Sequence, residues 1–134
     1  MNLLEQNMSN IKKRIAAACE RAKRNPEDIK LVAVSKYISA DVIQEAVDKG
    51  INILGENRVQ EVQKKQHLVE GDVEWHLLGH LQKNKVKHAV KLFSMIQSVD
   101  SLDLAEEINC RASRIAKTID VLVQINIGLG ESKF

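Results

Sequence analysis

The sequence predicts an α/β fold of the parallel (β/α) TIM-barrel type, in an incomplete form with about five strands, outer helices and an additional N-terminal helix. Three observations lead there. Short apolar runs alternate with amphipathic helical patterns, the signature of repeated βα units around a parallel sheet. The runs begin near residues 30, 51, 73, 93 and 120, close to the pitch of a (β/α) barrel. No linker or low-complexity stretch interrupts them, so residues 1–134 read as a single partial domain.

The opening helix is expected from about Asn2 to Arg24, because Leu4, Met8, Ile11, Ile15, Ala18 and Cys19 recur at three- and four-residue spacing and Asn25-Pro26 stops the pattern. A first strand is expected over Lys30 to Ser35. Ser39 or Asp41 then caps a helix running to Lys49, with Gly50 as its stop. The second strand is Ile51 to Leu54, followed by Gly55-Glu56-Asn57 and a helix to about Val69. The third is Val73 to Leu78, leading through Gly79 into a helix over Asn84 to Leu92. The fourth, Phe93 to Val99, precedes a helix from about Ser101 to Ala116, and the fifth is Asp120 to Ile127.

Composition narrows the function classes. Lys and Arg number 20 against 18 Asp and Glu, a formal charge of +2, so bulk electrostatics favour neither nucleic acid nor an anionic membrane. Lys83, Lys85, Lys87, His88 and Lys91 form the most basic stretch, but Val86, Ala89 and Val90 mark an apolar helical stripe between them, which reads as a solvated helix face. With one Trp, one Tyr and two Phe, the stacking groups of a single-strand binder are missing. No apolar run reaches transmembrane length, and the start meets Glu5 too soon for a signal peptide, so a cytoplasmic protein is expected. Cys19 and Cys110 have no metal-ligand spacing and read as buried or half-buried thiols.

The residue that carries chemistry is Lys36. It closes the run Leu31-Val32-Ala33-Val34-Ser35, placing an amine at the carboxyl end of a strand, where parallel α/β folds put their reacting groups. A lysine at the rim of a dry strand loses hydration, which frees the neutral amine to form a Schiff base with an aldehyde such as pyridoxal phosphate. Three further residues fall on the same rim. Asn57 follows the second strand, where it is either a helix cap or a cofactor neighbour; His80 lies in the loop after the third; Ser98 is near the end of the fourth. His76 lies within the third strand and is expected to be a packed histidine with one hydrogen bond. No zinc site is expected from His76 and His80, because they straddle a strand end with no carboxylate between them. Glu56 or Arg58 is left to face the strand ends, and Tyr37 is expected to point to the opposite side from Lys36. No glycine-rich phosphate loop and no serine-hydrolase elbow occurs.

Four segments then carry a resemblance. Leu31-Val32-Ala33-Val34-Ser35-Lys36, Gly55-Glu56-Asn57-Arg58-Val59-Gln60-Glu61, the stretch from Trp75-His76-Leu77-Leu78-Gly79-His80 to Leu81-Gln82-Lys83-Asn84-Lys85, and Val123-Gln124-Ile125-Asn126 resemble, in order and spacing, the pyridoxal phosphate homeostasis proteins. The likeness runs from the opening helix to Glu131-Ser132-Lys133. It implies a barrel similar to the N-terminal domain of alanine racemases, with pyridoxal 5'-phosphate attached to the residue corresponding to Lys36. It also implies a role in vitamin B6 and amino-acid homeostasis without known turnover. In the family the cofactor phosphate is held by late strands and loops, which would follow Phe134.

Two function classes follow: a module that holds and delivers the cofactor, and a racemase- or decarboxylase-like enzyme, for which the sequence offers no second acid or base. A third outcome is a half-barrel without cofactor. The chain stops directly after the fifth strand, so truncation is expected, with roughly seventy residues needed to complete eight units. Unpaired outer strands, and an inner face carrying Val32, Val34, Ile53 and Leu77, would then favour self-association through the open barrel edge.

Overall fold

The computed structural model describes residues 2–128, so the segment Glu131-Ser132-Lys133 lies outside the described residues. Helix α1, Leu3–Ala22, is opened by a capping box in which the Asn2 side chain accepts from Glu5 N–H and Glu5 accepts from Asn2 N–H. It ends at Lys23, in the left-handed region at φ 56°, and a 3-10 turn at Pro26–Asp28 follows, capped by Asn25. Four βα repeats and a fifth strand then alternate: β1 Ala33–Val34, α2 Ala40–Asp48, β2 Ile53–Glu56, α3 Val59–Lys65, β3 Glu74–Leu77, α4 Val86–Leu92, β4 Met95–Val99, α5 Leu102–Arg114 and β5 Asp120–Val123. Ser39 and Ser101 cap α2 and α5 through their side chains. Gly50, at φ +109°, turns the chain out of α2.

The strands are all parallel and their spatial order is their chain order, β1-β2-β3-β4-β5. An order without reversal, joined by crossovers of one hand, keeps the helices on one face and curls the sheet as an arc of a barrel. The ladder separates the two faces. Leu54 is level with Trp75, and Leu77 with Ile96; all four are buried in one cluster with Ile43, Val62, Val90, Leu104 and Ile108 from the helices. Val34, Gly55, His76 and Met95 fall on the other, concave face. Leu77 therefore belongs to the helix face rather than the inner one. Ile53 is buried, whereas Val34 is 52% exposed.

On the concave face the His76 ring is buried, with Nδ1 3.1 Å from Gln97 Nε2 and Nε2 3.7 Å from Glu74 Oε2. That matches a packed histidine. The α4 stripe of Val86, Ala89 and Val90 is buried, while Lys87, His88 and Lys91 are exposed. Cys19 is buried, but Cys110 is exposed on α5. No helix among the described residues is long and apolar enough to cross a membrane.

Candidate cofactor cleft

The carboxyl ends of β1, β2 and β3 open into a cleft of about 710 Å³. The size is that of a small-molecule site. Its walls bring together Lys36 and Tyr37 after β1, Glu56, Asn57 and Arg58 at the end of β2, and Gly79, His80 and Leu81 after β3. Lys85, before α4, completes the cationic side.

Lys36 is exposed, so burial does not strip water from its amine as the sequence reading assumed. The cleft supplies access instead. The strand before it is shorter than expected: β1 pairs with β2 only through Ala33 and Val34, extended by the Ser35 N–H bond to the Gly55 carbonyl at 2.9 Å. A turn follows, closed by Ile38 N–H on the Ser35 carbonyl at 3.1 Å. Tyr37 sits in this turn at φ 63°, 95% exposed, and lines the same cleft as Lys36. Strand alternation, which would have sent it to the other side, had already ended.

Asn57 does not cap α3. The N-cap is Arg58, which makes no side-chain cap bond. Asn57 is fixed through its backbone, because Gly79 packs against it so closely that a Cβ would overlap the Asn57 carbonyl oxygen. Glycine at 79 lets the loops after β2 and β3 touch and so forms the cleft floor.

His80 is on the cleft wall with a half-exposed ring, its Nδ1 3.7 Å from Asp100 Oδ2 after β4. Ser98 is not among the lining residues. Its side chain is 1% exposed, and the ladder is irregular between Ile96 and Val99, which breaks the alternation on which its rim placement relied. The structure thus unites Lys36, Asn57 and His80 and leaves Ser98 apart.

Sequence reasoning missed the partners of Glu56. Its side chain is fully buried, so of Glu56 and Arg58, the two residues left to face the strand ends, Arg58 is the one free to do so. Oε2 accepts from Ser35 Oγ at 2.5 Å and from Lys65 Nζ at 2.9 Å. Lys65 lies nine residues on, beyond the reach of a local pattern.

Three comparisons bear on this geometry. The family model described as the N-terminal domain of alanine racemase matches residues 6–132. The chain is 42% identical over 134 residues to the pyridoxal phosphate homeostasis protein of Aquifex aeolicus, covering 99% of this chain and 58% of that one. Among solved structures, PipY of Synechococcus elongatus with pyridoxal phosphate bound superposes with a TM-score of 0.75 at 39% identity, over 89% of this chain and 56% of that one. An alanine racemase of Clostridium difficile shares the fold, with a TM-score of 0.67 at 20% identity over 88% of this chain and 30% of that one. The chain thus spans somewhat over half the length of the homeostasis proteins it matches.

Proposed function

The chain belongs to the alanine racemase N-terminal domain family, and on that premise we propose that it holds pyridoxal 5'-phosphate as a Schiff base on Lys36 and serves vitamin B6 and amino-acid homeostasis as a carrier rather than by turnover. One observation carries the reading: an accessible lysine stands on the wall of a cleft of about 710 Å³ at the carboxyl ends of the strands. The lining fits the group. Lys36, Arg58 and Lys85 give the cleft cationic donors for an anionic aldehyde, while Glu56 is neutralised by Lys65. Asn57 and His80 line the same cleft and would serve as its hydrogen-bonding neighbours. The bound group contributes an aldehyde that condenses with a primary amine and releases water. The chain's own residues present that amine at the cleft wall. The names of the relatives and the ligand in PipY support the assignment. A cytoplasmic location, one partial domain over residues 1–134 and self-association through the outer strands belong to the same proposal.

The test is reduction with borohydride after incubation with pyridoxal phosphate, followed by peptide mapping. The added mass is expected on the peptide containing Lys36, together with a visible absorption band before reduction. Labelling spread evenly over Lys83, Lys85 and Lys91 would defeat the proposal.

A catalytic reading has one observation in its favour: Tyr37 and His80 both line the cleft, so proton-transfer groups are present near Lys36. Exchange of the α-proton of an amino acid with deuterated solvent separates the two. A carrier leaves that proton in place.

A further inference from the structure

Every hydrogen-bonding group of Ser35 is held. Its N–H donates to the Gly55 carbonyl, its Oγ donates to Glu56 Oε2, and its carbonyl accepts from Lys65 Nζ at 2.9 Å as well as from Ile38 N–H. Lys65 reaches this point from the end of α3 and simultaneously pairs with Glu56 at 2.9 Å. Its side chain is 12% exposed and that of Glu56 is fully buried. Such a pair is an expensive way to stabilise a fold, because desolvating each ion costs roughly several kcal/mol and an apolar pair of similar volume often does as well. Glu56 Oε1, moreover, is buried with no hydrogen-bond partner among the described residues, so the carboxylate is not satisfied as a purely architectural group would be.

What the pair holds explains its place. The carbonyl gripped by Lys65 belongs to the peptide unit that ends in the Lys36 nitrogen. Peptide planarity passes that constraint directly to the Lys36 Cα. The next residue, Tyr37, is left-handed at φ 63°, a conformation that a side-chain-bearing residue adopts at a cost and keeps only when its surroundings enforce it. The Glu56–Lys65 pair is that enforcement from one side, and the Ile38 N–H bond closes the turn from the other.

We propose that Glu56 and Lys65 are positioning residues for Lys36, a buried ionic clamp that fixes the turn from which the Lys36 amine enters the cleft. The inference rests on the assignment of Lys36 as the attachment point but adds residues to it. Lys65 acts through the Ser35 carbonyl, and Glu56 orients Lys65 and the Ser35 hydroxyl together.

The experiment compares the wild-type 134-residue chain with Lys65→Met, Lys65→Arg and Ser35→Ala by two readouts. Without ligand, amide hydrogen exchange at Ile38, whose N–H closes the turn on the Ser35 carbonyl, is measured against that of α5 as an internal reference. With pyridoxal phosphate, the yield of reduced adduct on the Lys36 peptide is mapped. Lys65→Met should speed exchange in the turn by about tenfold relative to α5 and lower the adduct yield in parallel. Lys65→Arg, which keeps charge and donors, should restore both. A folded Lys65→Met chain with turn exchange and adduct yield unchanged overturns the clamp, as does a loss that Arg fails to restore. If Lys65→Met does not fold, Ser35→Ala, which removes the hydroxyl bonds to Glu56 and to the Gly55 carbonyl, decides by the same readouts: faster turn exchange with a lower adduct yield supports the clamp, and no change in either overturns it. A wild-type chain that forms no adduct on Lys36 refutes the proposed function, whereas the ligand-free exchange comparison still decides the clamp.

Discussion

Gly79 lies against the backbone of Asn57 with no room for a Cβ between them, so the loops after β2 and β3 meet as bare main chain at the cleft floor. Gly79→Ala must push them apart, since the overlapping atoms are backbone rather than the end of a flexible side chain. Overpacking of this kind costs about 1–3 kcal/mol. The displacement falls on Asn57 and His80, so adduct formation on Lys36 should decline more than global stability does. Chemical denaturation and reductive labelling of the same variant check this.

The pH dependence of stability should carry the mark of His76. Burial on the concave face lowers its pKa below the ordinary histidine value, and Glu74 only partly opposes this. A histidine whose folded pKa is depressed takes up its proton more readily when the chain unfolds. Above about pH 6.5 both states are neutral there and no effect is seen. As pH falls below that value the unfolded chain gains protons that the folded chain refuses, and stability drops until the folded pKa is passed. His76→Gln, which keeps a polar partner for Gln97, should flatten the decline between pH 6.5 and 5 in urea titrations. An unchanged slope would assign it to the carboxylates instead.

The alternating pattern and the turn residues made the repeat legible, and Ser39, Ser101 and Gly50 act where their types predict. The errors have a common physical origin in contacts between residues distant in sequence. The second strand was expected to end at Leu54 but continues to Glu56, because a carboxylate reads as a solvent residue unless its partner is known, and Lys65 is that partner. The first strand was expected to reach Ser35, yet its ladder stops at Val34 and the turn that follows puts Lys36 and Tyr37 on one cleft. Asn57 has the chemistry of a cap, but Arg58 occupies that position while the Asn57 backbone meets Gly79. The placement of Lys36 near the carboxyl end of a strand was legible from where an apolar run ends, whereas the turn that brings it to the cleft was not.

Lys117 has a structural role that the sequence did not announce. Its Nζ donates to the Val90 carbonyl at 2.7 Å and to the Phe93 carbonyl at 2.9 Å, capping the end of α4 where helical carbonyls lack partners. Burial lowers its pKa, which offsets part of the gain. Lys117→Met should still destabilise the fold by about 2 kcal/mol, because hydrogen bonds to a charged donor are lost and two carbonyls are left without it. Lys117→Arg should recover much of that loss. The denaturation midpoints of the three chains test it, with no change expected at the cleft.

The sheet's outer strands set the last expectation. Among the described residues β5 pairs only with β4 and β1 only with β2. Val123 and Ile125 are 71% and 74% exposed, and Val34 faces the concave side half open. Apolar side chains beside unpaired backbone groups form a template for another strand, and charges on such an edge are the usual protection. The 134-residue chain is therefore expected to self-associate as its concentration rises. Val123→Lys combined with Ile125→Lys should weaken the association with little effect on the helix-side core of Leu77 and Ile96, because both replaced side chains are largely exposed. Sedimentation across a concentration series reads the difference. A wild-type monomer at tens of micromolar with cooperative unfolding would mean that these side chains find cover within the chain itself, and the paired substitutions would then change its stability rather than its mass.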